Sequence, residues 1–191
     1  MPFLIGIIIS DGWLTINKNG NARLSFKQSM KHLNFFLIVY SKLNFYCSKG
    51  PFLTKTTLQT RDKKKIHYGI QFTTRTLPCF TPLYHQFYKN GKKIVPSILR
   101  DYISLELLSY WICGNGAYKS GVVLNTQSFT VKEAILICDI LYFDLNLLCR
   151  VHFNRGQPIV YIKAKSLKKV KNELLRYIPD SLKYKVGYIK V

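Results

Sequence analysis

Acidic residues are scarce in this chain: nine Asp and Glu stand against 29 Lys and Arg, a formal net charge of +20 over 191 residues. Such an imbalance sets it apart from ordinary soluble domains, and the partner it suits best is a polyphosphate backbone, which releases counterions for each base that neutralises it. Long apolar runs are also missing. None reaches the roughly 18 to 20 residues a bilayer-spanning helix needs, so no membrane association is expected. The five cysteines, at 47, 79, 113, 138 and 149, include no CxxC pair and no Cys/His ligand spacing. Their odd number argues against a disulfide framework, and each reads as a small core hydrophobe in a reducing interior. The four histidines are scattered and are assigned no chemistry. Met1 to Ile9 carries no basic flank of the kind a secretory signal has, and no Arg/Ser-rich transit segment is present.

What is there begins with LIGIIISDGWL, residues 4–14, an apolar segment that ends in one of the nine acids, Asp11, followed by Gly12. A second stretch, LSYWICGNGAY at 108–118, lies over it at an offset of 104, with Gly116 on Gly12 and Asn115 on Asp11. Both read as apolar helices, Leu4–Gly12 and Leu108–Gly116. Each is followed by a polar turn, a strand-like segment carrying a glutamine (Gln28, Gln127), and an amphipathic helix. Strand-like sequence (IHYGIQFTTR, PIVYIKAK) and a last helical pattern (FTPLYHQFYK, SLKKVKNELLRYI) close each half. The chain thus says helix, two strands, helix, two strands, helix, twice. The joint lies near Asn90–Glu106, where Gly91 and Pro96 punctuate the pattern, giving repeats 1–95 and 96–191. Each half is too small to bury its sheet alone, so the two apolar helices are the expected seam. Gly6 and Ser10, one turn apart, give the first of them a small-residue strip for close backbone approach.

These residues resemble the LAGLIDADG homing endonucleases. LIGIIISDG is similar to their signature helix, and LLSYWICGNGAYKSGVVLNTQSFTVKEA to the second signature of their single-chain, two-repeat members. NGKKIVP before the second helix and YKVG at 184–187 also match that branch. The resemblance implies an α+β fold, a pseudo-two-fold duplicated saddle. Two antiparallel four-stranded sheets would lie across nucleic acid, and the paired signature helices would deliver one acid each to two scissile phosphates. Asp11 is then the first catalytic acid and a ligand of Mg²⁺, the cofactor of any cleaving form. Lys93 and Lys185 match basic residues near the scissile phosphates; read without the resemblance they are ordinary solvated charges.

The second acid is absent, because the chain reads Gly114-Asn115-Gly116 where this branch carries Asp-Asp-Gly. Asn keeps the shape of Asp, but an amide oxygen is a poorer ligand for a hard cation. Three functions follow. The first is an RNA-binding descendant that has lost double-strand cleavage, an intron maturase or a component of a ribonucleoprotein such as an organellar ribosome. The second is an active or nicking Mg²⁺-dependent DNA endonuclease, and the third a basic structural protein that inherits the fold and needs no cofactor. The first two imply a monomer with pseudo-dimeric repeats, encoded and working in a mitochondrion or other organelle.

The strand-like segments carry bases alternating with polar and aromatic neighbours, which puts the polar set on one sheet face; in the saddle that the resemblance implies, Arg23, Ser25, Lys27, Arg75, Asn125, Gln127 and Lys163 of that set face the groove. Lys119, Arg150 with His152, Arg155 and Lys165 add to it. There, Arg and Gln contact base edges and Lys contacts phosphate. RDKKKIHY from Arg61 reads as a hairpin tip or phosphate clamp. Tyr40, Tyr84 and Tyr142 fall on helical patterns as core residues, and SLKKVKNELLRY offers lysines for backbone contact.

Overall fold

The computed structural model describes residues 1–59 and 64–188; Arg61, Asp62 and Lys63 of the basic run lie outside the described residues. In chain order the elements are α1 (Pro2–Ile9), β1 (Gly12–Ile16), β2 (Ala22–Ser29), α2 (Leu33–Leu43), β3 (Phe52–Gln59), β4 (Lys64–Thr73), α3 (Thr81–Phe87), β5 (Tyr88–Lys89) and β6 (Lys92–Lys93). Then follow α4 (Leu99–Tyr102), α5 (Leu105–Asn115), β7 (Gly116–Tyr118), β8 (Val122–Leu124), α6 (Val131–Leu145), β9 (Cys149–Asn154), β10 (Gln157–Ile162), α7 (Ala164–Tyr177) and a 3-10 segment, Asp180–Val186. The described strands make two four-stranded antiparallel sheets with one connectivity, β1-β2-β4-β3 and β7-β8-β10-β9, and a small β5-β6 hairpin. The expected element order therefore holds in both halves. Both signature helices stop short of their glycines: Gly12 and Gly116 open β1 and β7.

The chain forms two compact units, 11–84 and 1–10 with 85–191. In the first, alternation in β2 sends Leu24 and Phe26 inward, where Phe26, Phe35, Phe36 and Phe72 are fully buried. Their rings meet edge-on or offset at 5.6 to 6.1 Å, a geometry worth more than area alone. Tyr40 stacks on Phe36 at this cluster's edge. Arg75, just beyond β4, donates from Nη2 to the carbonyl of Phe45 at 3.0 Å and from Nε to that of Tyr46 at 3.4 Å. Its guanidinium thus ties down the turn after α2.

The second unit is built around α1 and α5, which pack side by side. Ile7, Ile8 and Ile9 are β-branched and poor helix formers, so packing rather than propensity holds this two-turn helix. Ile5, Ile7, Ile8 and Ile9 are buried, the all-round burial expected of a helix with no polar face. At Gly6 the neighbour comes so close that a Cβ would lie 2.7 Å from the Leu107 carbonyl oxygen. The expected strip is real, and Ser10 closes it by donating to the carbonyls of Gly6 (2.8 Å) and Ile7 (3.1 Å).

The sheet β7-β8-β10-β9 packs its inner face, Val122, Leu124, Val160 and Ile162, against the helices of this unit. Helix α6 opens with a capping box: Thr130 accepts from the Glu133 amide, and the Glu133 carboxylate accepts from the Thr130 amide. That carboxylate also accepts from the Val95 amide at 2.9 Å, which anchors the segment just after Lys93. Burial pushes the Glu133 carboxyl up, but its bonds from Thr130 and Val95 outweigh this and hold it below the usual range.

Two expectations about single residues fail. Tyr142 is 47% exposed on the outer face of α6, because the buried stripe of that helix runs through Ala134, Ile137, Ile140 and Leu141. Cys79 is exposed and Cys47, Cys138 and Cys149 are half-buried, so only Cys113 is the core thiol expected of all five.

Candidate nucleic-acid interface

Asp11 follows Ser10, the residue that ends α1, and precedes β1. It is half-buried, and Gln28 donates from Nε2 to its Oδ2. The Gln28 oxygen faces His32 Nδ1 at 3.4 Å, so one carboxylate sits on a side-chain chain running from β1 through β2 to the entry of α2. Gln28 is itself buried, which fixes the direction from which it reaches Asp11. A cleft of about 380 Å³ lies here, lined by Asp11, Lys27, Gln28, Thr56 and His67 among others.

The matching glutamine of the other half is not Gln127. Gly12 pairs with Phe26 in the first sheet and Gly116 with Leu124 in the second, so Gln28 corresponds to Thr126. Strand β8 ends at Leu124, which leaves Gln127 in the turn beyond it, bonded to Asn125 at 3.4 Å. Thr126 is fully buried on the Pro158 carbonyl. The first hairpin is six residues longer between its pairing points rather than five, and with a side-chain period of two that single residue inverts the face.

Asn115 is the last residue of α5, and its carbonyl accepts from both the amide (3.0 Å) and Nδ2 (2.8 Å) of Asn125. Asn125 thus closes the helix end and takes a structural part at the head of the strand face.

Lys93 and Lys185 are not solvated charges. Lys93 Nζ donates to the carbonyls of Ile8 (2.5 Å) and Ser10 (3.3 Å), and Lys185 Nζ to those of Cys113 (2.6 Å) and Gly114 (2.9 Å). Each places an ammonium on the unpaired carbonyls at the C-terminal end of a signature helix, where a cation also suits the helix dipole. Lys185 is only 5% exposed. Burial pushes the Cys113 thiol from its ordinary value near 9 up to about 12, with the Lys185 charge pulling the other way. The folded state therefore holds this proton more tightly than the unfolded chain. Stability present below pH 9 should fall as pH rises from 9 toward 12, by about 1.4 kcal/mol per unit. Urea midpoints at a series of alkaline pH values, flattened in Cys113→Ser, measure this.

In the first sheet one face carries Thr15, Arg23, Ser25, Lys27, Gln71 and Thr73, as the registers Thr15↔Arg23, Ser25↔Thr73 and Lys27↔Gln71 require. Arg23 is exposed and leans on Thr15 (3.1 Å), and Lys27 reaches Thr56 (3.4 Å). Ser25 is 4% exposed and bonded to Thr73, so it shapes the surface between its two basic neighbours. In the second sheet the corresponding face carries Arg150, His152 and Tyr161, with the last two rings stacked at 5.2 Å. Lys119 and Arg155 occupy the β7–β8 and β9–β10 turns, Arg155 with φ 51°. Lys163 and Lys165 are not strand residues: β10 ends at Ile162, Lys163 is the N-cap of α7 and Lys165 lies within it. Tyr161, Gln71 and Thr73 belong to the polar face and were missed by a reading that tracked bases. Strand alternation from Lys27 and Arg150 could have found them.

Among the described residues no group of three or more His, Cys, Asp or Glu comes together as a metal cage. Asp11 still fits Mg²⁺ of the kind held by one or two carboxylates plus substrate phosphates. Asn115, at the other signature position, carries no charge.

Residues 1–170 match the sequence pattern of the LAGLIDADG DNA endonuclease family. Over 199 residues the chain is 32% identical to the probable intron-encoded endonuclease 1 of Wickerhamomyces canadensis, covering 96% of this chain and 81% of that protein. It is 26% identical over 193 residues to the cytochrome b mRNA maturase bI2 of Debaryomyces hansenii, covering 98% of this chain and 73% of that one. Among solved structures, the homing endonuclease I-WcaI bound to its DNA recognition sequence superposes with a TM-score of 0.87 at 26% identity, covering 99% of this chain and 86% of that one.

Proposed function

Because the chain belongs to the LAGLIDADG DNA endonuclease family, we propose that it is a nucleic-acid-binding member that has lost double-strand cleavage and works on RNA, as a maturase of an organellar intron. The observation that carries this reading is Asn115 at the end of α5 against Asp11 after α1: only one of the two signature positions keeps a carboxylate. Cutting two strands calls for an acid and a metal at each phosphate. Binding does not, and the basic residues that would serve it are present. Arg23 and Lys27 line one sheet, Arg150, His152 and Tyr161 the other, on a chain of net charge +20.

A nicking DNA endonuclease is the second reading, favoured by Asp11 and its partner Gln28. Asp11 would hold Mg²⁺ with the substrate phosphate, and the ion would activate water.

One experiment separates the two. The protein is titrated with the transcript of the intron flanking its coding sequence, and separately incubated with Mg²⁺ and a plasmid carrying the intron-less exon junction. Tight, salt-sensitive RNA binding with an uncut plasmid is the expected result. Linear product, or relaxed circles abolished by Asp11→Asn, overturns the loss of cleavage. Failure to bind the transcript more tightly than an unrelated RNA overturns the maturase reading.

A further inference from the structure

At one side of the second compact unit, away from the sheet face just described, the 3-10 segment Asp180–Val186 folds back over α7 and the edge strand β7. A cleft of about 550 Å³ opens between them, within the range of small-molecule sites. Its floor is apolar: Leu167 and Val186 are buried, with Ala164 and Leu175 beside them. Two half-exposed rings, Tyr118 at 47% and Tyr188 at 41%, form its walls, and Lys168, Lys171 and Asn172 its rim. No acid lines it.

The cleft is held in shape by its own chain. Gly187 adopts φ 70°, and a side chain there would run into the Tyr118 ring, so glycine lets the backbone rest against that ring. Lys171 Nζ donates to the Gly187 carbonyl at 2.7 Å, which fixes an ammonium at the rim with further hydrogens to give. Lys183 lies 5.7 Å over the Tyr188 ring and is itself paired to Asp180. Two half-exposed tyrosine rings beside apolar side chains, with the Lys171 ammonium positioned at the edge and no acid among the described lining residues, are complementary to a base that offers its π-face and the phosphate attached to it.

We propose that this cleft binds one unpaired nucleotide of a single-stranded segment, the base against Tyr118 and Tyr188 and its phosphate at Lys168 and Lys171. A duplex keeps its base faces stacked and would meet only the lysines, so the cleft selects unpaired strand. This rests on the RNA reading above and adds to it a second contact region, separate from the sheet faces.

The test uses the full chain and a fluorescein-labelled (rA)12, followed by anisotropy, with a labelled 20-base-pair DNA duplex measured alongside. Base stacking on an aromatic side chain predicts that Tyr188→Ala weakens (rA)12 binding by about tenfold. The same variant leaves the duplex within twofold, and Tyr188→Phe restores the affinity. Lys168→Ala should weaken (rA)12 less and flatten its salt dependence. Equal losses for both probes in Tyr188→Ala, or no loss for (rA)12, overturn the cleft. An intact protein that binds the intron transcript while Tyr188→Ala leaves (rA)12 untouched removes the cleft and keeps the maturase reading. An intact protein that binds no RNA removes both. Circular dichroism of each variant shows that it is folded.

Discussion

Gly6→Val is expected to yield no stably folded protein. The Cβ it adds would sit 2.7 Å from the Leu107 carbonyl oxygen and 3.0 Å from the Tyr110 Cβ, and neither is the far end of a flexible side chain. Relief must come from moving α1 off α5. That opens a seam lined by Ile5, Ile8, Leu107, Leu108 and Trp111, each fully buried. Overpacking a core costs about 1 to 3 kcal/mol where neighbours can shift, and more is expected against a backbone. Total stabilities of about 5 to 15 kcal/mol leave little margin for it. Gly6→Ala is the diagnostic partner. In an exposed helix that change stabilises by about 1 kcal/mol, so packing and propensity predict opposite signs here. A fall in melting temperature for Gly6→Ala confirms the close approach; a rise would show that the helices do not meet at this residue.

Lys185→Met is the second large effect. Methionine fills much of the same volume but leaves the Cys113 and Gly114 carbonyls without their ammonium donor at a site that is 5% exposed. Burying unsatisfied carbonyls costs about 1 to 3 kcal/mol each, and the cation at the helix end is lost as well. A loss of about 2 kcal/mol corresponds to about 4 to 8 °C in melting temperature for a chain of this size. Cys113 offers a local readout. Without Lys185 its thiol is pushed still higher, so slower thiolate chemistry is expected if the seam stays shut. Faster labelling in Lys185→Met therefore reports opening of the helix end. An unchanged melting temperature together with unchanged labelling would show that Lys185 does not hold the carbonyls.

Several parts of this molecule were legible because they repeat locally. Apolar residues running through LIGIIIS and LSYWICG, each closed by a residue and a glycine, marked two helices. The offset of 104 between them set Asn115 on Asp11 and made the missing acid visible. Alternation through Arg23, Ser25 and Lys27 put three residues on one strand face, as the register then showed. Reading went wrong where one residue of register decided the outcome. Gln127 looked like the partner of Gln28, but the hairpin differs by six residues rather than five, and Thr126 takes the place. Lys163 and Lys165 went to a strand because IVYIKAK alternates; the chain turns into α7 at Lys163.

The sequence, read with its family resemblance, determined the fold class, the duplicated order of elements, a net charge suited to a polyanionic partner, and the inequality of the two signature positions. The charge follows from composition and the order of elements from periods of two and 3.6 residues, which the local chain imposes, whereas the fold class and the meaning of the missing acid came from the resemblance of the signature segments to a known family. Only the tertiary structure decided what Lys93 and Lys185 do, that Ser25 is covered, that Gln28 holds Asp11, and that Tyr118 and Tyr188 face one cleft. Lys93 meets a carbonyl 85 residues away and Lys185 one 72 residues away. No local pattern encodes such a meeting, because the free energy that places an ammonium there comes from packing distant apolar helices together.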